Sequence, residues 1–177
     1  FLKFTIKSIY KSLFIECDII FATSTPLTIA IPALVISFIK NKPFVFEVRD
    51  MWPDVPIAIG AIKNKFLIYL AKWLEAITYR KAKHIIALAP GMKEDIVKKG
   101  IHNKKISVIP NACDLDIFNF KPNNTLRMEM SWLKERKLIV FAGALGYVNH
   151  VIYLAKVAKE LKNLDPEIRV LVIGDGK

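Results

Sequence analysis

The sequence predicts an α/β protein built on parallel sheets, and three observations carry that expectation. Strand-like and helix-like segments alternate along most of the 177 residues, the order that builds βαβ crossovers. The strand-like runs, of which Phe44, Val45, Phe46 and Val48 form the clearest, are rich in β-branched and aromatic residues, as strands buried on both faces are. Almost every one ends in small or polar residues: Thr23-Ser24-Thr25, Arg49-Asp50, Pro90-Gly91, Pro110-Asn111, Gly143-Ala144-Leu145-Gly146 and Gly174-Asp175-Gly176. Ligands sit beyond such carboxyl ends in open parallel sheets.

In chain order, the opening FLKFTIKSIYKSLF places Leu2, Ile6, Ile9, Tyr10 and Leu13 on one helical arc and Lys3, Lys7 and Lys11 on another. This reads as a helix covering a sheet, with a basic helix lying on an anionic membrane surface as the sharper alternative. Residues 19–39 carry no charge, long enough to raise the question of a membrane span. Thr23, Ser24, Thr25, Pro26, Thr28 and Pro32 argue instead for a strand over 18–22, a turn, and a buried helix starting near Pro26.

FVFEVRDMWPD, residues 44–54, is the stretch around which the rest is organised. A buried strand stops abruptly at Arg49, Asp50, Trp52 and Asp54, and a cation, two carboxylates and an indole there suit a polar, multiply hydroxylated ligand. The bland alternative pairs Arg49 with Asp50 at the surface and packs Trp52 on Pro53. A helix over 63–81 follows, with Phe66, Leu70, Trp73, Leu74 and Ile77 on its apolar stripe. HIIALAP is the next strand, Pro90-Gly91 a turn, and MKEDIVKKG a helix with acids early, lysines late and Gly100 at a left-handed stop. ISVIP is a further strand, running into NACDLDIFNF.

KPNN at 121–124 is the expected linker, dividing the chain into domains 1–120 and 121–177. Thr125 is a candidate cap for the helix after it, 138–143 a strand, 148–164 a long helix, and IRVLVIGDGK a strand ending in a glycine loop. Two parallel strands with one crossover cannot bury both faces, so the second sheet is expected to be incomplete in this chain. The start at Phe1, without an initiator Met, gives the same expectation of a piece of a longer protein.

With 53% hydrophobic and 24% charged residues, disorder is excluded. The net charge of +11 implies attraction to nucleic acid, an acidic membrane leaflet or phosphorylated ligands. Nucleic acid ranks last, because the lysines are scattered over helices without interleaved aromatics on a sheet face. Cys17 and Cys113 are far apart and fit no zinc spacing, so a reducing cytoplasm and no metal are expected. Asp114 and Asp116 resemble a carboxylate pair for a divalent ion but lack converging oxygens, and are read as structural. GALG is not a GxGxxG fingerprint and no GxxxxGK[ST] loop exists, which argues against dehydrogenase and P-loop readings. Of His84, His102 and His150, only His150 adjoins a candidate ligand loop. Gly143 and Gly146 precede a helix whose N-terminus suits a phosphate.

Taken together and in order, VRDMWPD, IIALAPGMKEDIVKKG, KISVIPNACDLDIF, FAGALGY and VLVIGDGK resemble the group 1, or family 4, bacterial glycosyltransferases of GT-B fold, especially the branch that builds O-antigen, capsule and exopolysaccharide. The resemblance implies two Rossmann-like domains with parallel sheets, both incomplete in this chain. It implies a nucleotide-sugar donor, a UDP-sugar, held by the C-terminal domain. The acceptor, a polyprenyl-diphosphate-linked saccharide at the inner membrane face, would be held by the N-terminal domain. Transfer would retain anomeric configuration, with no metal or other cofactor and with peripheral cytoplasmic attachment to the anionic membrane.

Residue by residue, Arg49, Asp50 and Trp52 match the family's RD-x-WP motif, with Arg49 and Asp50 as the expected catalytic pair. Thr23, Ser24, Trp52, Asp54, Gly91 and Asn111 are expected on the acceptor side. Pro90, Gly91 and Met92 match an SPGM turn with Ala89 in place of serine, and Pro110, Asn111 and Asp114 match PNG-x-D with Ala112 in place of glycine. Gly143, Leu145, Gly146, His150, Gly174, Asp175 and Gly176 are expected on the donor. Ala144 replaces the polar residue of a GNLG turn, and Asn149-His150 stand where Gln-Gly or Lys-Gly is common. The family's donor-gripping glutamate pair is expected beyond Lys177 and its first βαβ before Phe1, so the piece is not expected to transfer sugar alone. Two alternatives accompany this reading: a GT-B-fold sugar-nucleotide epimerase, and a non-catalytic membrane-surface module.

Overall fold

The alternating apolar runs and helical stripes become six strands and eight α-helices in the computed structural model, which describes residues 2–119, 125–146 and 149–176. In order these are α1 (Leu2–Leu13), β1 (Ile20–Thr23), α2 (Ala30–Lys40), β2 (Phe44–Val48), α3 (Asp54–Ala58), α4 (Lys65–Lys81) and β3 (His84–Ala87). There follow α5 (Pro90–Lys98), β4 (Ile106–Val108), α6 (Leu115–Phe118), α7 (Thr125–Glu129), β5 (Lys137–Ala142), α8 (Ile152–Leu164) and β6 (Ile168–Ile173). The chain divides into two units, Phe1–Ala112 and Cys113–Lys177. The linker expected at 121–124 and the capping side chain expected at Thr125 lie outside the described residues.

In the first unit four parallel strands stand in the order β1-β2-β3-β4. The register Ala22↔Phe46, Phe46↔Ile85 and Ile85↔Ile106 aligns residues that share a face. That face is closed: Ala22, Phe44, Phe46, Val48, Ile85, Ala87 and Ile106 are all buried, against Ala30 and Ala33 of α2, Tyr79 of α4 and Ile96 of α5. A sequential strand order with right-handed crossovers puts all three covering helices on one side. The other face, with Phe21, Val45 and His84 in one row and Thr23, Glu47, Ile86 and Ser107 in the next, is exposed or half-buried. The expectation of strands buried on both faces therefore fails here, and Glu47, His84 and Ser107 are the residues that mark the open side.

Two helices bury residues that lie off their apolar stripes, although Leu74 of the α4 stripe still packs half-buried against the core. In α4 the buried residues are Glu75, Thr78 and Tyr79, while Phe66, Leu70 and Trp73 are exposed. The Tyr79 ring lies 6.2 Å from that of Phe46, and Glu75 meets Lys99 of the turn after α5, so a hydrogen-bonded ion pair and one aromatic contact outrank the stripe. The buried residue of α1 is Thr5, with Leu2, Ile6 and Tyr10 exposed. Packing chiefly on α2 rather than on the sheet, α1 uses its small polar side for the close approach.

Pro26 does not begin α2; a 3-10 turn over Leu27–Ile29 intervenes, and Pro32 falls in the helix's first turn, where its missing N–H costs no hydrogen bond. Pro90-Gly91 is not a separate turn but the start of α5, with Pro90 at the first helical position. Gly100 has φ +87°, the left-handed stop expected of it. Among the described residues no helix is long and apolar enough to cross a membrane.

The second unit has two parallel strands, in register from Lys137↔Ile168 to Ala142↔Ile173, with α8 against β6. Its buried hydrophobic residue, among those described, is Leu133. The helix expected from residue 148 starts at Ile152; His150, with φ +45°, precedes it, and Tyr147 and Val148 lie outside the described residues.

Candidate functional site

Parallel topology brings the carboxyl ends of β1 to β4 to one edge, and side chains knit the first two ends together. Ser24, buried, donates its N–H to Glu47 O (2.7 Å) and accepts the Arg49 N–H on Oγ (2.9 Å). The Thr23 hydroxyl donates to Glu47 Oε2 (2.6 Å), and the Thr25 hydroxyl donates to Asp50 Oδ2 (2.8 Å). Asp50 is thus held by Thr25 and not by Arg49. Among the described residues the exposed Arg49 guanidinium has no carboxylate partner. The surface-pair alternative for Arg49 and Asp50 is not what the structure contains. A fixed backbone with a free planar fork of donors is suited to a phosphate or carboxylate.

The remaining residues expected on this side divide. Gly91, in the first turn of α5, has nothing within 4 Å of where a Cβ would stand, and Asn111 is exposed beyond β4; both belong to the same edge by topology. Trp52 packs half-buried against the core rather than standing as an open floor. Asp54 opens α3, and its Oδ2 accepts from Lys99 Nζ at 2.6 Å.

That last contact belongs to a cluster the sequence did not reveal. Lys99 Nζ also donates to Glu75 Oε1, and Glu75 is 4% exposed beside the buried Tyr79. Burial raises the Glu75 carboxyl above its ordinary range, outweighing the Lys99 hydrogen bond that lowers it. Burial also pulls on Lys99, but its two carboxylates more than compensate and raise it. Burial and then the neighbouring Glu75 charge push Tyr79 up. The cluster ties α3, and so the loop from Arg49 to Asp54, to α4 and to the end of α5. Its signal in the sequence was a lone Glu75 inside an otherwise apolar and basic helix.

In the second unit, the loops after β5 and β6 are packed backbone to backbone. Gly143 N–H donates to Ile173 O (2.9 Å) and Leu145 N–H to Asp175 O (3.0 Å). A Cβ on Gly174 would stand 1.8 Å from Gly143 O, and one on Gly176 2.8 Å from the Leu145 backbone. These two glycines are therefore required by the contact between loops, while Gly146 opens on free space. His150 lies between this loop and α8, and the Asn149 amide donates to Ala144 O at 2.6 Å. Asp114 Oδ1 accepts from Asp116 N–H at 3.0 Å and caps α6, the structural role expected of that acid. Among the described residues no three His, Cys, Asp or Glu converge as a metal site.

Residues 2–117 match the family model described as Glycosyltransferase Family 4. The chain belongs to glycosyltransferase family 4. This family 4 chain is 30% identical over 125 residues to an Escherichia coli protein named UDP-Gal:alpha-D-GlcNAc-diphosphoundecaprenol alpha-1,3-galactosyltransferase, a match covering 68% of the chain and 32% of that protein. It is 23% identical over 70 residues to the Salmonella typhimurium lipopolysaccharide 1,2-N-acetylglucosaminetransferase, covering 40% of the chain and 18% of that protein. The chain thus spans a third or less of the curated relatives it matches. The crystal structure of Anabaena Alr3699/HepE in complex with UDP superposes with a TM-score of 0.70 at 17% identity, over 99% of the chain and 44% of that protein. A UDP-N-acetylglucosamine 2-epimerase superposes at 0.54 and 14% identity, over 94% of the chain and 42% of that protein. The fold is therefore that of part of a GT-B enzyme, an architecture these transferases and epimerases share.

Proposed function

We propose that residues 1–120 form the acceptor-side domain, and 121–177 the start of the nucleotide-sugar domain, of a retaining glycosyltransferase. It moves a hexosyl or N-acetylhexosaminyl group from a UDP-sugar to a polyprenyl-diphosphate-linked saccharide at the cytoplasmic face of the membrane, in the assembly of cell-surface polysaccharide. The observation that carries this reading is the exposed Arg49 guanidinium, without a carboxylate partner among the described residues, on a hydrogen-bonded backbone at the carboxyl edge of the parallel sheet, in a chain belonging to family 4. The E. coli relative's name joins a UDP-Gal donor to a diphosphoundecaprenol acceptor, which supports the same pairing here.

In this reading Arg49 grips the acceptor's phosphate, and Asp50, oriented by Thr25, faces the reacting hydroxyl, with Thr23, Ser24, Trp52, Gly91 and Asn111 shaping the rim. The loops at Gly143–Gly146 and Gly174–Gly176, with His150, face the donor. Electrostatic stabilisation of the leaving diphosphate supplies most of the rate, with no metal. Family membership over 2–117 favours transfer over epimerisation.

The test is Arg49→Lys in the complete enzyme that contains this chain. Lysine keeps the charge and loses the fork, so turnover from a UDP-sugar to a polyprenyl-diphosphate-sugar should fall at least about tenfold, roughly 1.4 kcal/mol, with an unchanged thermal melt. Wild-type kinetics beside an unchanged melt would remove Arg49 from the site.

A further inference from the structure

We infer that Asp54, Lys99 and Glu75 form a tether that positions the Arg49–Asp50 loop for its ligand, so that Asp54 is a positioning residue and not a ligand contact. This role rests on the reading of Arg49 and Asp50 proposed above. One end of the tether is rigid. Lys99 follows α5 with its N–H donating to Asp95 O and Ile96 O (3.2 Å each), Ile96 is fully buried, and Gly100 turns the chain away at φ +87°. Glu75, on the buried side of α4, accepts from Lys99 Nζ and stands one turn before the buried Tyr79. The ammonium is therefore fixed from two helices before it reaches the loop.

The other end is weak by itself. With five residues, α3 is too short to hold its own conformation. Its links to the loop before it are the Val55 N–H to Met51 O (2.9 Å) and Ile57 N–H to Pro53 O (3.1 Å) hydrogen bonds, and between Trp52 and Ile59 the buried residues are Pro53 and Pro56. The contact from Lys99 Nζ to Asp54 Oδ2 (2.6 Å) joins this turn to a point 45 residues along the chain. Since Ser24 Oγ fixes the loop at the Arg49 N–H, Arg49 and Asp50 lie in a span held at both ends.

A buried carboxylate paired with a lysine adds little stability over an apolar pair of the same volume; what it adds here is a fixed direction. Lys99 also offsets the negative charge that Asp54 brings to a loop that has to accept an anion. A cavity of about 240 Å³ beside the cluster, lined among others by Lys72, Tyr79 and Arg80, admits water to Lys99 once the Asp54 contact is lost. Asp54→Asn therefore releases the loop without stranding Glu75.

That change, in the complete enzyme that contains this chain, is the test. The acceptor KM should rise at least about threefold and kcat/KM for the acceptor fall at least about tenfold, with the donor KM within about twofold of wild type. Mere loss of folded enzyme would lower kcat and leave both KM values alone. Asp54→Glu, which returns a carboxylate to Lys99, should recover to within about threefold of wild type. Asp95→Asn, which breaks an exposed pair with Lys98 (2.8 Å) on α5, should change nothing. In the 177-residue chain, Asp54→Asn should speed hydrogen exchange at the Val55 and Ile57 N–H groups with β2 and β3 unaffected. A wild-type acceptor KM in Asp54→Asn beside an impaired Arg49→Lys would overturn the tether and leave the site reading standing. Asp54→Glu no better than Asp54→Asn, or unchanged exchange in the loop, would overturn it as well. Wild-type kinetics in Arg49→Lys would remove the site and the role of the tether together.

Discussion

In the first unit a single cluster of side chains runs from Ala22 on β1 to Ile106 on β4 and is sealed by three helices. In the second, two strands lie under one helix, and Ile139, Val140, Val172 and Ile173 remain exposed. Both are parallel sheets of similar composition, so the contrast comes from layer count: four strands and three crossovers close a face, and two strands with one crossover do not. The first unit is held by its core. The loops of the second are held by backbone fit between glycines.

The sharpest way to break that comparison is a pair of truncations. Phe46→Ala, at 0% exposure, should cost about 3–5 kcal/mol, whereas Val140→Ala, 51% exposed, should cost under about 1 kcal/mol. Urea denaturation of the chain reads both, and equal costs would erase the distinction between units.

Lys99→Met comes next. It strands Glu75 without its cation, a loss of about 2–4 kcal/mol with the pair's partial exposure taken into account. The pH dependence has a definite sign. The Glu75 carboxyl already titrates above its ordinary range, so its ionisation works against folding as pH rises through that raised value. Removing Lys99 raises it further, so the penalty should be largest near pH 7 and shrink on acidification to about pH 5. The Lys99 ammonium, itself raised, contributes throughout that range and would be lost only above its own elevated value. A penalty independent of pH would separate Lys99 from Glu75.

The smallest effect belongs to the glycine loops. Gly174→Ala places a methyl against Gly143 O and should cost about 1–3 kcal/mol. Its signature in hydrogen exchange should be faster exchange in β5 and β6 with β1 to β4 unaffected. Gly146→Ala meets nothing within 4 Å and should stay within about 0.5 kcal/mol of wild type.

The alternation of strands with helices and the polar strand ends were legible because a buried parallel strand must be an apolar run, and its carboxyl end is where such a run stops. Which side of a helix is buried was not. For α4 the pattern pointed at Phe66 and Trp73, yet the inward side holds Glu75, Thr78 and Tyr79, since one ion pair to Lys99, 24 residues away, is invisible to periodicity. The short helices α3 and α6 escaped because each is about one turn long, and a single turn has no period to detect. Asn64 caps α4 by accepting from the Phe66 and Leu67 N–H groups, so the helix opens just inside the expected boundary at 63. At the candidate site, the residue types at the ends of β1 and β2 were legible. That Ser24 bridges them, and that Thr25 rather than Arg49 takes Asp50, depended on the register Thr23↔Glu47.

The Ser24 bridge bears on the entropy of binding at this edge. With the Arg49 N–H fixed to Ser24 Oγ and the Ser24 N–H fixed to Glu47 O, the backbone that carries the guanidinium is ordered before any ligand arrives. An anion that engages it restricts the rotamers of one long side chain, at most about 2 kcal/mol, and leaves the loop's φ and ψ where they already are. An arginine on an unbridged loop would add about 1–2 kcal/mol for each backbone residue newly fixed.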